Sequence, residues 1–273
     1  MTGASDWQGR VGASWAAEWQ RTDRSFEALN ARLVEHVAQR APRNARILDI
    51  GCGAGGTSLA LAERLPDAQI RGIDLSSDLI AVARQRGGAS VTFEQSDASL
   101  WSSAEFVPDM MASRHGVMFF DDPVGAMRHL AGVIRPGGQL VFSCFRDRAE
   151  NDWATAIAGL LPVPLPFDPI APGPFAFADR ERVTSILADA GWGDIEVEPH
   201  NFAYVAGAGD RPVDDAVDFF SQIGPAAPLI RAMEGDARAD FLSRMREILG
   251  RHLHNRRVSF TASVWIWTAR RPA

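Results

Sequence analysis

The chain of 273 residues has no lysine and only two cysteines. Nor does any run approach the roughly 20 consecutive apolar residues that a membrane-crossing helix requires. Every basic side chain other than histidine is arginine, and 34 acidic residues against 28 basic ones give a net charge of −6 and a sequence pI near 5.5. That excess of acid excludes a broad electropositive surface, and with it a nucleic-acid partner. Cys52 and Cys144 stand too far apart for a metal or redox motif; their apolar strand contexts predict buried free thiols in a reducing compartment. No metal site is expected. The opening Met1-Thr2-Gly3-Ala4-Ser5-Asp6 has neither the basic nor the apolar region of a signal peptide, so a soluble, cytoplasmic protein without a membrane partner is expected.

What the chain does have is a glycine turn. Residues Ile47-Leu48-Asp49-Ile50-Gly51-Cys52-Gly53-Ala54-Gly55-Gly56 run from an apolar stretch through an acid into alternating glycines, followed by a helical pattern. A sharp strand-to-helix turn needs backbone angles that other residues resist, and a missing Cβ lets a ligand lie on the main chain. With Gly56 counted, the spacing also satisfies the G-x-G-x-x-G dinucleotide fingerprint, which alone is weak. Charge separates the two readings. A pyrophosphate would meet Asp49 just before the turn, with no arginine between Arg46 and Arg64. S-adenosylmethionine, whose sulfonium and ammonium outweigh its carboxylate, would be attracted there instead.

Two further acids follow at strand ends. Gln69-Ile70-Arg71-Gly72-Ile73-Asp74-Leu75 ends in a carboxylate placed to accept both ribose hydroxyls. Asp97, at the end of Ser90-Val91-Thr92-Phe93-Glu94-Gln95-Ser96-Asp97-Ala98, reads either as an acceptor for the adenine amino group or as a helix cap.

With the segment Ser113-Arg114-His115-Gly116-Val117-Met118-Phe119-Phe120 and the closing Arg135-Pro136-Gly137-Gly138, these motifs occur in the order of a known family. Residues from about 44 to 146 resemble the class I S-adenosylmethionine-dependent methyltransferase domain. The subgroup it most resembles is the small-molecule enzymes of the ubiquinone/menaquinone-biosynthesis and trans-aconitate type. The resemblance implies S-adenosyl-L-methionine as cofactor and S-adenosyl-L-homocysteine as product. It implies a glycine-turn site of Asp49, Gly51, Gly53 and Gly55, with Asp74, Leu75, Asp97, Ala98 and Ser113 completing the cofactor contacts. It further implies an α/β fold, a Rossmann-like, mostly parallel seven-stranded sheet with helices on both faces. An N-terminal helical lid and a helical cap inserted before the last strand complete that fold.

The periodicity is of the same kind. Strands over 46–50, 69–75 and 90–96 alternate with helices around 56–65 and 77–86. A fourth strand ends near His115, and a helix opens with Asp121 or Asp122 as cap and Pro123 in its first turn. Gln139 to Cys144 form the fifth strand. In open parallel sheets ligands sit beyond the carboxyl ends of the strands, where Asp49, Asp74, Asp97 and His115 all fall. Beyond 147 the pattern loosens into a loop (147–178) rich in proline and phenylalanine, including Pro162, Pro164, Pro166 and Phe167. A helix over 179–190, a strand over 194–205, helices over 213–223 and 228–252 and a strand over 257–269 follow. The expected division is 1–43 as lid, 44–146 as cofactor-binding core, and 147–273 as the rest of the sheet with the substrate-facing loop and a cap over 212–252.

On the acceptor side the reading is looser. Trp7, Trp15 and Trp19 either staple the amino-terminal helices to the core or form a lid over the cofactor, with Trp15 and Trp19 as the contacts. His115 is read as general base or substrate contact, the alternative being a hydrogen-bonded wall residue; relatives commonly carry an aromatic there, so the family pattern gives it no role. Arg114 either steadies a substrate carboxylate or pairs with Asp121 or Asp122. His129 is expected on an exposed helix face. The function expected is methylation of a small molecule at oxygen. A non-methylating reaction with the same cofactor, such as cyclisation or decarboxylation, or a non-catalytic cofactor-binding protein, is the alternative.

Overall fold

A computed structural model describes residues 3–88, 90–161, 168–224 and 226–273. The stretch holding Pro162, Pro164, Pro166 and Phe167 lies outside the described residues.

The interior strands are apolar on both faces, as a parallel sheet covered by helices requires. In β1 (Arg46–Ile50) Ile47, Leu48 and Ile50 are all buried, and in β4 (Met110–Arg114) so are Met110, Met111 and Ala112. With β2 (Gln69–Asp74), β3 (Val91–Gln95) and β5 (Gln139–Phe145) they pair in parallel in the order β3-β2-β1-β4-β5. Beyond residue 190 come β6 (Gly193–Gly207), β7 (Leu253–His254) and β8 (Arg257–Arg270). β8 runs antiparallel between β5 and β6, which completes the order as β3-β2-β1-β4-β5-β8-β6. Pro199 is tolerated inside β6 because that strand is the sheet edge. The eighth strand, absent from the seven expected, is β7. Asn255 and Arg256 at φ 47° and 61° make a tight turn that folds it back on β8.

Four helices precede the sheet: α1 (Ala4–Trp7), α2 (Arg10–Ala17), α3 (Trp19–Ser25) and α4 (Glu27–Ala38). Within it lie α5 (Gly56–Arg64), α6 (Ser77–Arg86) and α7 (Pro123–Val133). α5 stops where Leu65 leaves helical geometry ahead of Pro66, and Ser76 and Asp122 cap α6 and α7 through their side chains. After β5 come α8 (Asp152–Ala158) and α9 (Arg180–Asp189), then α10 (Pro212–Gln222), α11 (Ala227–Ala232) and α12 (Gly235–Arg251). The helix expected over 228–252 is thus two, interrupted at Met233 and Glu234, whose backbone is extended, ahead of Gly235 at φ +55°. α4 packs on α5, α7 on α9, and α10 on β6. Among the described residues no helix is long and apolar enough to cross a membrane.

Candidate active site

Beyond the carboxyl ends of β1 to β5 lies one cavity of about 1270 Å³. The glycine turn forms part of its wall, and its glycines serve different ends. A Cβ on Gly51, at φ +64°, would lie 2.9 Å from the Cα of Gly116, so this glycine lets the ends of β1 and β4 touch. A Cβ on Gly53, at φ +55°, would meet no protein atom within 4 Å; its backbone lies bare on the cavity. Gly55 is different: its Cβ would strike the Phe93 ring at 2.7 Å, and it does not line the cavity.

The acids divide in the same way. Asp74 lines the cavity beside Leu75, with Oδ2 accepting from the Gly53 amide and Oδ1 from the Ser76 amide, both at 2.9 Å. Burial raises its pKa, and those amide bonds oppose the rise. Asp97 also lines the cavity, next to Ala98. Its Oδ1 accepts from the Ser99 amide at 2.8 Å and hydroxyl at 2.7 Å, so the carboxylate is a turn anchor that still faces the cavity. Asp49, expected to face the cofactor, sits behind the wall. It is 1% exposed, Oδ2 accepts from the Ser58 hydroxyl at 2.5 Å, and Oδ1 has no partner among the described residues. Burial pushes its pKa up to about 6, against the Ser58 bond. Ser113 is likewise internal: its hydroxyl donates to the Ile50 carbonyl at 2.7 Å and accepts from the Gly116 amide, tying β4 to β1. Asp49, Gly55 and Ser113 therefore shape the turn from behind, whereas Gly51, Gly53, Asp74, Leu75, Asp97 and Ala98 present themselves to the cavity.

His115 lines the cavity in a left-handed backbone conformation, φ +61°, which a non-glycine residue seldom adopts. Its amide donates to the Ser143 carbonyl at 3.1 Å, and Nδ1 lies 3.1 Å from the Ser143 hydroxyl. Among the described residues Nε2 is buried without a partner. Burial, reinforced by the neighbouring Arg114 charge, pushes its pKa down to about 3, so at neutral pH the ring is uncharged. Its ordinary value near 6.5 is thus not retained. His129, expected on an open helix face, is half-buried, with Nε2 2.7 Å from the Trp101 carbonyl.

Around His115 stand rings that no local pattern had grouped. Phe145 lies 4.2 Å from the imidazole and Phe26 5.2 Å, centroid to centroid. Trp153 stacks on Tyr204 at 5.4 Å and on Phe175 at 6.1 Å, and Tyr204 meets Phe26 edge-on at 5.4 Å. All five line the cavity. Phe175 falls in the proline- and phenylalanine-rich loop expected to face the substrate; the other four gave no signal distinct from ordinary core.

The amino-terminal helices close the remaining side. Trp15 and Trp19 line the cavity, and the Arg86 guanidinium lies 3.9 Å over the Trp19 ring. Asp23 on α3 holds two arginines, Arg86 at 2.7 Å and Arg114 at 3.3 Å. Arg114 thus pairs with neither Asp121 nor Asp122. Asp23 was not singled out from the sequence, and the absence of arginine from the turn itself was misleading: folding brings Arg86 within 2.6 Å of the Ala54 carbonyl.

A methyltransferase-domain profile matches residues 47–138, the stretch from β1 to the turn before β5. A trans-aconitate 2-methyltransferase of Methylobacterium nodulans is 31% identical over 224 residues, 80% of this chain and 82% of that protein. A ubiquinone biosynthesis O-methyltransferase of Xanthomonas axonopodis is 33% identical over 155 residues, 54% of this chain and 64% of that one. The chain spans about half the length of the first curated relatives it matches, 45% to 64%. Among solved structures, the phosphoethanolamine N-methyltransferase 2 of Haemonchus contortus in complex with S-adenosyl-L-methionine superposes with a TM-score of 0.58 at 18% identity. It covers all of this chain and 61% of its own, a likeness of fold alone. The chain belongs to the class I S-adenosylmethionine-dependent methyltransferases. Within that family its relatives are small-molecule enzymes of the trans-aconitate, ubiquinone and menaquinone type.

Proposed function

We propose that this protein transfers a methyl group from S-adenosylmethionine to an oxygen of a small-molecule acceptor. One observation carries the reading: a single cavity of about 1270 Å³ is lined at one end by the glycine turn, Asp74 and Asp97, and elsewhere by His115 and a set of rings. Ordinary ligand pockets run to about 300–1000 Å³, so a cofactor and an acceptor both have room.

The residues fit that cofactor. Gly53 leaves backbone bare where a Cβ would intrude, and the Asp74 carboxylate, already oriented by two amides, retains lone pairs for a pair of ribose hydroxyls. Asp97 is placed to accept from the adenine amino group, and Trp15 and Trp19 to cover the site as a lid. Bound there, S-adenosylmethionine supplies a methyl already activated by a positively charged sulfur. The remaining task of the chain is to align the acceptor oxygen and strip it of water.

His115 aligns; it does not stand ready as a base. With its pKa near 3, taking a proton from a phenol of pKa about 10 would be uphill by on the order of 10 kcal/mol. An acceptor already ionised, or one whose hydroxyl turns strongly acidic as the methyl is transferred and only then gives up its proton, is what such a site serves. The segment 1–43 as lid, and the loop and helices over 147–178 and 212–252 as acceptor wall, follow from the same reading, as does a reducing cytoplasm for the free thiols of Cys52 and Cys144.

Calorimetry with S-adenosylhomocysteine, followed by mass spectrometry of products from an acceptor panel, tests it. Cofactor binding with a methylated product and S-adenosylhomocysteine is expected. Binding with a product lacking the added methyl would replace the reading by cyclisation or decarboxylation.

A further inference from the structure

Resting on the methyltransferase reading, we infer that Asp23 and Arg114 recognise the zwitterionic amino-acid end of the cofactor, Asp23 taking its ammonium and Arg114 its carboxylate. Asp49, the acid expected from its spacing to attract this cofactor, is buried behind the wall, so the charged tail needs other partners. With the ribose on Asp74 beside Gly53, that tail would run along the glycine turn toward the start of α5. Asp23 stands there. Its Oδ1 lies 2.6 Å from the point that a Cβ on Gly56 would occupy, and Arg86 ties the same acid to the turn by bonding Asp23 Oδ2 at 2.7 Å and the Ala54 carbonyl at 2.6 Å. Asp23 and Arg114 both line the cavity, and their side chains remain 25% and 13% exposed.

The acid holds its two arginines unequally. Arg86 is close on Oδ2, whereas Arg114 reaches Oδ1 only through Nη2 at 3.3 Å, the one hydrogen bond its guanidinium makes among the described residues. Oδ1 therefore keeps lone pairs to offer, and Arg114 keeps most of its N–H donors. A ligand with a single charge would satisfy one partner and strand the other, which is costly in a site partly closed to water. A zwitterion set between them exchanges one loose ion pair for two and leaves no charge over. Arg86, which does not line the cavity, can stay on Oδ2 and keep the carboxylate oriented. The pair thus selects S-adenosyl amino acids over other adenosine ligands, and because Asp23 belongs to α3, the amino-terminal arm supplies recognition as well as cover.

Calorimetry on the whole protein with a set of adenosine thioethers tests this. S-adenosylhomocysteine carries both charges, its decarboxylated analogue only the ammonium, its deaminated analogue only the carboxylate, and methylthioadenosine neither. Asp23→Asn is expected to weaken S-adenosylhomocysteine and the decarboxylated analogue about 10-fold, and to leave the deaminated analogue and methylthioadenosine within about 2-fold of the parent. Arg114→Gln should instead weaken S-adenosylhomocysteine and the deaminated analogue about 10-fold, and spare the other two. A loss shared by every probe, methylthioadenosine included, overturns the proposal and leaves Asp23 and Arg114 as packing partners of the arm. Unchanged affinity for S-adenosylhomocysteine in either variant, or losses that follow the opposite charge, overturns it too. A parent that binds none of the probes takes the cofactor reading down and this pair with it. A uniform pattern in an enzyme that still yields a methylated product removes the pair alone.

Discussion

On one side of the cavity the wall is main chain and carboxylate, drawn from residues 51–98 at the ends of neighbouring parallel strands. Asp74 and Asp97 there already accept amide hydrogen bonds that hold them in place. On the other side it is rings, contributed by the start of α4, the end of β5, α8, the loop before α9 and the edge strand β6. The first side is organised before any ligand arrives, because the amides that orient each acid lie within a few residues of it or on the adjacent turn. The second exists only when distant segments meet, and among the described residues Trp153 Nε1 and His115 Nε2 are buried there without a hydrogen-bond partner. In the proposed reading, a locally encoded edge would hold the cofactor, and the side of the cavity that is assembled from distant segments would be left for the acceptor.

The largest effect expected tests the preformed side. Gly53→Val puts a branched side chain into the open space above the turn at φ +55° and should weaken S-adenosylhomocysteine binding more than 100-fold by calorimetry, with the circular dichroism of the parent retained. Normal affinity would move the cofactor elsewhere and erase the contrast between the two sides.

Next in size, Asp74→Ala removes charge-assisted bonds of about 1.5–3 kcal/mol and should raise the Kd for S-adenosylhomocysteine roughly 10- to 150-fold by calorimetry. An unchanged Kd in a folded variant would remove Asp74 from the preformed side.

His115 belongs to the second side, and its burial makes a stability prediction. Its folded pKa of about 3 lies below the unfolded value near 6.5, so the stabilisation it contributes is complete above pH 6.5 and is lost as pH falls toward 3. Between pH 7.5 and 5 that loss amounts to about 2 kcal/mol, and His115→Phe should lack it in urea unfolding at the two values. His36 and His200, lowered by burial too, remain in the variant and cancel from the comparison. Asp49 acts with the opposite sign: raised to about 6, it costs stability above that pH and relieves the cost as pH falls toward 4. An identical pH slope in parent and variant would place His115 in contact with water.

The smallest effect concerns the seam between amino-terminal helices and core. Asp23→Asn leaves Arg86 and Arg114 without their shared carboxylate; because these side chains are partly exposed, about 1 kcal/mol of stability should be lost, less in high salt. A salt-independent loss would point to packing at Gly56, against which the Asp23 side chain lies, rather than to charge.

Legibility followed range. Strand and helix periods from β1 to β5 were readable because each element buries its own apolar residues and ends in its own turn, as at Pro66 or the Asp122 cap. The break between α11 and α12 was not, since Gly235 in a polar helical pattern is compatible with either a continuous or a divided helix. For the site, Asp74 and Gly53 were marked by strand-end position. Asp49 was marked too, yet it turned out to serve from behind the wall, because spacing specifies which turn a residue occupies and not which way its side chain faces.

By itself, then, the amino-acid order determined the parallel core, the glycine turn and the acids at the strand ends, all interactions within or between adjacent elements. Only the tertiary structure decided that Asp23 would bridge Arg86 and Arg114, that His115 would line the cavity as an uncharged ring, and that rings from Phe26 to Tyr204 would pack together. The physical reason is that side-chain direction, burial and charge pairing depend on which surfaces meet, and Asp23 lies 63 and 91 residues along the chain from the two arginines it holds.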